Sequence, residues 1–216
     1  SFNAFTYCME AYALLDSGSA LGRNCGPILI KKPDTILNPE SSIAIPGKYT
    51  TANMLLDIAY PDYKNKIETL FSEIEYDVLI EKVDAGLIIH ESRFTYQDKG
   101  LEKVKDLGKF WEEETALSIP LGGIVVKRNF PFRLQKKFER VLRKSVEYAF
   151  ANRESSAEFI KCHAQEMKKE VVDAHINLYV NEFSISLGEE GRKAVEMFFE
   201  KAGKRTNAIF VEDNFM

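Results

Sequence analysis

The stretch AGLIIHESRFTY, residues 85–96, decides how the chain is read. Its first five residues, Ala85 to Ile89, are apolar without a break. A strand with no polar side has both faces covered, as in a parallel sheet flanked by helices. Five residues is strand length rather than buried-helix length. Upstream, Ser42 to Pro46 (SIAIP) reads as a second short buried strand, and Thr50 to Tyr60 has the apolar spacing of a helix. Lys66 to Phe71 alternates like a strand and Ser72 to Val83 reads as helix. Strands alternating with helices predict an α/β fold with a largely parallel sheet.

Further outward, Tyr12 to Asp16 is a short apolar run and Ile28 to Ile30 a strand, separated by the glycine-punctuated SGSALGRNCGP, residues 17–27. Lys105 to Leu117 reads as helix and Leu121 to Lys127 as strand. From Phe132 the pattern is almost all helix. Leu134, Phe138, Val141, Leu142, Val146 and Ala149 share one face of Phe132 to Asn152. Glu158 to Gln165, Val171 to Val180 and Glu189 to Ala202 continue it, with Ser186 and Glu189 spaced as a capping box. Asn207 to Val211 reads as an added edge strand. The connections at 31–40 and 126–131 bracket the βα-rich middle, predicting a smaller lobe, 41–127, and a larger one, 1–40 with 128–216.

With 216 residues, 45% hydrophobic and 29% charged, the chain can bury a real core, which excludes disordered, collagenous and low-complexity classes. A net charge of -4 argues against a nucleic-acid partner, and no apolar run approaches the roughly 20 residues that span a bilayer. Cys8, Cys25 and Cys162 are odd in number, widely spaced and without a CxxC pair. They read as free thiols in a reducing cytoplasm rather than a disulfide framework or a zinc knuckle. Ser1 has no Met before it and leads straight into FNAFTYCMEAYALL, which raises the expectation of residues further upstream.

Two stretches are candidates for chemistry. GKYTTA, residues 47–52, lies between a buried strand and a helix, where unpaired backbone N–H groups and the helix dipole favour carboxylate or phosphate. Thr50 and Thr51 add hydroxyls, and a plain N-cap accounts for a threonine there equally well. GLIIHESRFTY, residues 86–96, runs a buried strand into His90, Glu91 and Arg93. The crevice beyond strand carboxyl ends is where open α/β sheets bind ligands, and a neutral imidazole there serves as a general base. The alternatives are an ordinary core or surface histidine and a solvated Glu91–Arg93 pair. Gly18, Gly22 and Gly26 are spaced GxxxGxxxG, not as a dinucleotide loop. His163 and His175 sit twelve apart on separate helical pieces, so no metal site is expected. Phe110 and Trp111 precede the acidic run Glu112 to Glu114, which reads as a helix with a solvated face.

Taken together, GLIIHESRFTY, DLGKFWEEETALSIPLGGI (106–124), HAQEM (163–167), LYVNEFSISLGEEG (178–191), SGSALGRNCGP and IPGKYTTA resemble the 1,4-dihydroxy-6-naphthoate synthases of the futalosine route to menaquinone. The resemblance covers nearly the whole chain. It implies a two-lobed fold like the type 2 periplasmic solute-binding proteins, with the active site in the cleft between lobes. It also implies cleavage of cyclic dehypoxanthinyl futalosine to 1,4-dihydroxy-6-naphthoate and dihydroxyacetone, a carbon–carbon lyase reaction without organic cofactor or metal. The family's proton-accepting histidine falls on His90, and its substrate-contacting Thr-Ala pair on Thr51 and Ala52. The serine of its Lys-x-Ser contact falls on Ser1; Thr50, Glu91 and Arg93 are secondary candidates. The family's upstream SPCPNDTF-like segment has no counterpart in this sequence. A chorismate dehydratase-like enzyme and a non-catalytic binder of a small carboxylate are the competing readings. The expected partner is a small carboxylate substrate, with no nucleic acid and no membrane. The apolar surface around Val171 to Val180 adds the expectation of a homodimer.

Overall fold

A computed structural model describes residues 1–90, 92–163 and 169–211, and the chain divides into two compact units. Unit 1 comprises residues 1–22 and 120–216, and unit 2 residues 23–119. Unit 1 opens with helix α1 (Phe2–Phe5) and strands β1 (Tyr12–Leu14) and β2 (Ala20–Gly22). Unit 2 follows as β3 (Ile28–Lys31), β4 (Ile43–Ile45), α2 (Thr51–Ala59), β5 (Lys66–Glu68), α3 (Ile74–Leu79) and β6 (Ala85–Ile88). It ends with the short α4 (Ser92–Thr95), β7 (Glu102–Asp106) and α5 (Leu107–Thr115). The chain continues through β8 (Ile119–Gly122), β9 (Val125–Lys127), α6 (Phe132–Ala151), α7 (Ala157–His163), α8 (Lys169–Tyr179), α9 (Glu182–Ile185) and α10 (Gly188–Lys201).

The sheet of unit 2 has the order β5-β4-β6-β3-β7. β4 pairs in parallel with β5 and β6, while β3 runs antiparallel to both β6 and β7. Four strands therefore point one way and β3 points against them, so the expected largely parallel sheet is a mixed one. This also moves the boundary of the units. Residues 23–40 belong with the middle of the chain because β3 lies inside its sheet, and residues 120–127 belong to unit 1 because β9 pairs with β1.

The continuous apolar run at 85–88 is buried at every position. On one face Ile28, Ile30, Ala44, Ile88, Tyr96 and Leu101 pack with Ile74, Val78 and Val83 around α3. Each such side chain contributes about 1.5–3 kcal/mol when fully buried. A Cβ on Gly86 would lie 2.5 Å from Ile74 Cγ2, so the missing side chain is what lets α3 sit this close to β6. Trp111, expected beside a solvated face, is fully buried, with Nε1 donating to Ser118 O at 3.2 Å.

In unit 1, β1 pairs antiparallel with β9 and β2 pairs with β8. The expected single strand 121–127 is two, β8 ending at Gly122 and β9 starting at Val125; at Gly123 between them a Cβ would meet Leu14 Cδ1 at 2.6 Å. Phe2, Phe5, Phe198, Phe199 and Phe210 fill the core, with Phe2 edge-on to Phe199 at 6.2 Å. The tail forms one parallel bridge, Leu14 to Phe210, rather than an edge strand. α6 has the expected length, but its apolar stripe is only partly covered: Leu142 packs on the core while Phe138 and Val141 are exposed. The capping box belongs to Asn181 and Ser184 at α9; Ser186 donates instead to the Asp16 carboxylate. Among the described residues no helix is long and apolar enough to cross a membrane.

Candidate functional site

Unit 2 carries Thr50, Thr51, Ala52, His90 and Arg93, whereas Ser1 lies on unit 1. The β4–β6 ladder (Ile43↔Ala85, Ala44↔Gly86) brings the carboxyl ends of two parallel strands to one edge of the sheet. Because β3 runs the other way, with Ile28 opposite both Ile88 and Asp106, the loop before it reaches the same edge. That edge therefore gathers the turn into α2, the residues after β6, the loop at 24–27 and the start of α5.

At α2, Thr50 is the N-cap: its Oγ1 accepts from Asn53 N at 3.2 Å and donates to Gly47 O at 2.7 Å. The capping alternative thus holds for Thr50, whose hydroxyl works inside the protein. The preceding turn is held from both sides. Lys48 N donates to Glu68 Oε2 at 3.0 Å, and Asn53 Nδ2 donates to Lys48 O at 3.0 Å. Lys66 Nζ in turn fixes Asn53 Oδ1 at 2.8 Å and Asp57 Oδ1 at 2.5 Å. Thr51 and Ala52 begin the helix with their side chains buried, and first-turn amides have no carbonyl of their own helix to receive them.

His90 stands two residues beyond β6 with φ 58, in the left-handed region where histidine is enriched among non-glycine residues. It is exposed, and its ring meets Phe71 edge-on, with centroids 5.3 Å apart at 70°. Phe71 itself packs on the core around α3. The strand end predicted from the apolar run thus presents an accessible imidazole beside an aromatic wall.

Arg93 is not half of a solvated pair. Its guanidinium donates to Gly26 O (3.0 Å), Asn24 O (2.8 Å) and Asp106 Oδ2 (2.7 Å), and only 12% of the side chain is exposed. Its proposed partner Glu91 lies outside the described residues. Asp106 also caps α5, its Oδ1 accepting from Gly108 N at 3.0 Å and Lys109 N at 3.1 Å. Beside this hub, burial pushes the Cys25 thiol from the ordinary 9.0 up to about 12. Arg93 offsets part of the rise, and the Glu112 and Asp106 carboxylates add to it.

Elsewhere, Ser1 is the exposed N-cap residue of α1, without a side-chain capping bond. His163 and His175 pack at a tilt against Phe159 and Tyr179, with centroids 4.3 and 4.6 Å apart and the rings inclined by 37° and 42°. The sequence reading missed Phe71, Glu68, Asn53 and Asp106. Asp106 alone left a local signal, an N-cap residue immediately before the helix at Leu107.

A family model described as menaquinone biosynthesis matches residues 1–204. A Thermus thermophilus protein named 1,4-dihydroxy-6-naphthoate synthase is 40% identical over 205 residues, covering 95% of this chain and 75% of that protein. Among solved structures, protein AF1704 of Archaeoglobus fulgidus superposes with a TM-score of 0.87 at 33% identity, covering 94% of this chain and 76% of that one. The Candida albicans CA3427 product, described as having the generic periplasmic binding protein fold, superposes at TM-score 0.59 and 8% identity, over 100% and 80% of the two chains. At that identity the likeness concerns fold alone, and the fold here is of the periplasmic-binding-protein type.

Proposed function

This chain belongs to the menaquinone-biosynthesis family, and from that premise we propose that it is a 1,4-dihydroxy-6-naphthoate synthase acting as a carbon–carbon lyase. The substrate in this reading is cyclic dehypoxanthinyl futalosine, and the products are 1,4-dihydroxy-6-naphthoate and dihydroxyacetone. The observation that carries it is the shared sheet edge: an exposed imidazole after β6 beside the amino end of α2 after β4. His90 takes a proton from the sugar-derived carbon next to a carbonyl. That proton is returned to the neighbouring carbonyl carbon, which moves the carbonyl one carbon along the sugar chain. The hydroxyl on the ring carbon then loses its proton and becomes a carbonyl as the carbon–carbon bond breaks. The electron pair leaves with the three-carbon fragment as its enolate, a proton is returned there, and the ring system enolises to become aromatic. Proton transfers suffice, so this reaction calls for no redox cofactor.

In the same reading the substrate carboxylate rests on the main-chain N–H groups of Thr51 and Ala52. The helix dipole supplies about 0.3–2 kcal/mol and each hydrogen bond to the charge about 1.5–3 kcal/mol. Ser1 is the third proposed substrate contact. A cytoplasmic location, a small carboxylate as the partner, no nucleic acid or membrane, and a homodimer through the helical second half go with this proposal; light scattering at micromolar protein checks the last.

The test incubates the protein and its His90→Asn form with cyclic dehypoxanthinyl futalosine and follows dihydroxynaphthoate by chromatography. A positioned base contributes about 10²–10⁴-fold, so His90→Asn should lose activity on that scale with its melting temperature little changed. Equal turnover by both would remove His90 as the base. No product from the wild-type chain would overturn the assignment itself.

A further inference from the structure

His90 carries backbone strain, since a left-handed conformation at a non-glycine residue is unfavourable and persists only where its surroundings over-determine it. On one side β6 is fixed, paired with β3 and β4. On the other, two successive side chains are anchored in different parts of unit 2. Ser92 Oγ donates to Glu75 Oε2 at 2.9 Å, on the buried face of α3. The same oxygen accepts from Lys99 Nζ at 2.8 Å. Arg93 reaches Asn24 O, Gly26 O and Asp106, and its N–H returns to His90 O at 3.3 Å. Phe71, which meets the His90 ring, lies just ahead of the helix that carries Glu75. The Ser92–Glu75 bond thus ties the segment after His90 to the helix that directly follows the turn carrying its ring partner.

We propose that Ser92 and Arg93, acting with Glu75 and Asp106, are positioning residues that clamp the turn so that the His90 ring is held against Phe71 at the sheet edge. The proposal rests on reading His90 as the base. None of the four clamp groups need touch substrate: Arg93 and Ser92 spend the hydrogen bonds described above on the protein itself. Their effect is to fix where the imidazole points. Since a misplacement of about 1 Å costs on the order of 10²-fold in rate, a clamp two and three residues further along the chain has leverage on turnover without leverage on binding.

The experiment uses Ser92→Ala, Arg93→Lys and Arg93→Met in the full chain. Two quantities are read: the kcat and KM for cyclic dehypoxanthinyl futalosine, and the imidazole ring resonances by NMR. With only three histidines in the sequence, His90 is assigned by comparison with His90→Asn. Arg93→Met should lower kcat by about 10²-fold with KM essentially unchanged. It should also shift the His90 resonance out of the Phe71 ring current while those of His163 and His175 stay in place. Arg93→Lys keeps the charge opposite Asp106 but lacks the fork that reaches both carbonyls, and should fall between. If Arg93→Met does not fold, Ser92→Ala and Arg93→Lys decide. An unmoved His90 resonance and unchanged kcat in the folded variants overturn the clamp. The ring signal is read without substrate, so it remains decisive for the clamp even if wild type makes no naphthoate and the functional assignment fails.

Discussion

Gly108→Ala places one methyl where the protein has no room to receive it. A Cβ at Gly108 would lie 1.8 Å from Cys25 O and 2.8 Å from Cys25 C, so two backbones must part by more than an ångström. Both are tethered: Leu107 N donates to Pro27 O at 2.9 Å, Asp106 caps the helix at Gly108 and Lys109, and Arg93 grips the carbonyls on either side of Cys25. Overpacking costs about 1–3 kcal/mol, and loosening the Asp106 cap about 0.5–2 kcal/mol more. Alanine restricts the unfolded chain and returns about 0.4–1 kcal/mol. The net expectation is a destabilisation of about 2.5 kcal/mol, within a range of about 0.5–4.6 kcal/mol. Gly100→Ala is the control, because φ is +77 there but nothing lies within 4 Å, leaving only a backbone penalty of about 1–2 kcal/mol. Urea unfolding followed through Trp111, the single tryptophan and three residues from Gly108, reads both variants in the affected unit. A Gly108→Ala midpoint equal to wild type, or milder than that of Gly100→Ala, would refute the reasoning.

Thr50→Ala should lose about 0.5–2 kcal/mol of stability while Thr50→Asn loses little, since asparagine restores the acceptor for the Asn53 amide; thermal melts of the pair check it. Thr51→Val should raise KM for the futalosine derivative with an unchanged far-UV circular dichroism spectrum. A thiol-selective disulfide reagent at pH 8 should label exposed Cys162 in the native protein and spare Cys25, whose thiolate form is withheld until about pH 12. From pH 9 to about pH 12 the unfolded chain releases a Cys25 proton that the folded chain keeps, so stability should fall by about 1.4 kcal/mol per pH unit. Cys25→Ser should remove that component of the slope, as measured by urea midpoints across the range.

What could be read along the chain depended on whether the determining contacts were local. β4 and β6 were plain because buried strands are apolar at each position. β7, Glu102–Asp106, was missed, its first three residues unassigned and its last two inside the predicted helix from Lys105, because EKVKD is an edge strand, held by its ladder to β3 and carrying only one apolar side chain. The lobe boundaries went astray for the same reason: the place of β3 between β6 and β7 is a pairing across the sequence with no local trace. At the site, Thr50 and His90 stood out because each falls where a regular element starts or ends. The role of Arg93 did not, since Asn24 and Gly26 lie 69 and 67 residues away.

Because unit 2 is one unbroken segment inserted within unit 1, it has a bearing on the order of folding. Its two ends lie together: Arg23 Nη2 donates to Ala116 O at 3.0 Å and Asn24 N to Glu112 Oε1 at 2.6 Å. Unit 1 must pair Tyr12 with Lys127 across that insertion, and an open loop of such length carries an entropic cost that a folded insert with adjacent ends largely removes. During synthesis every strand of unit 2 leaves the ribosome before β9 does. Vectorial synthesis thus lets the insert close first and hold the early part of unit 1 ready for its partner. A lesion that slows the insert, such as Gly108→Ala, is therefore expected to delay the pairing of β1 with β9 as well, a kinetic debt incurred far from the strands that would show it.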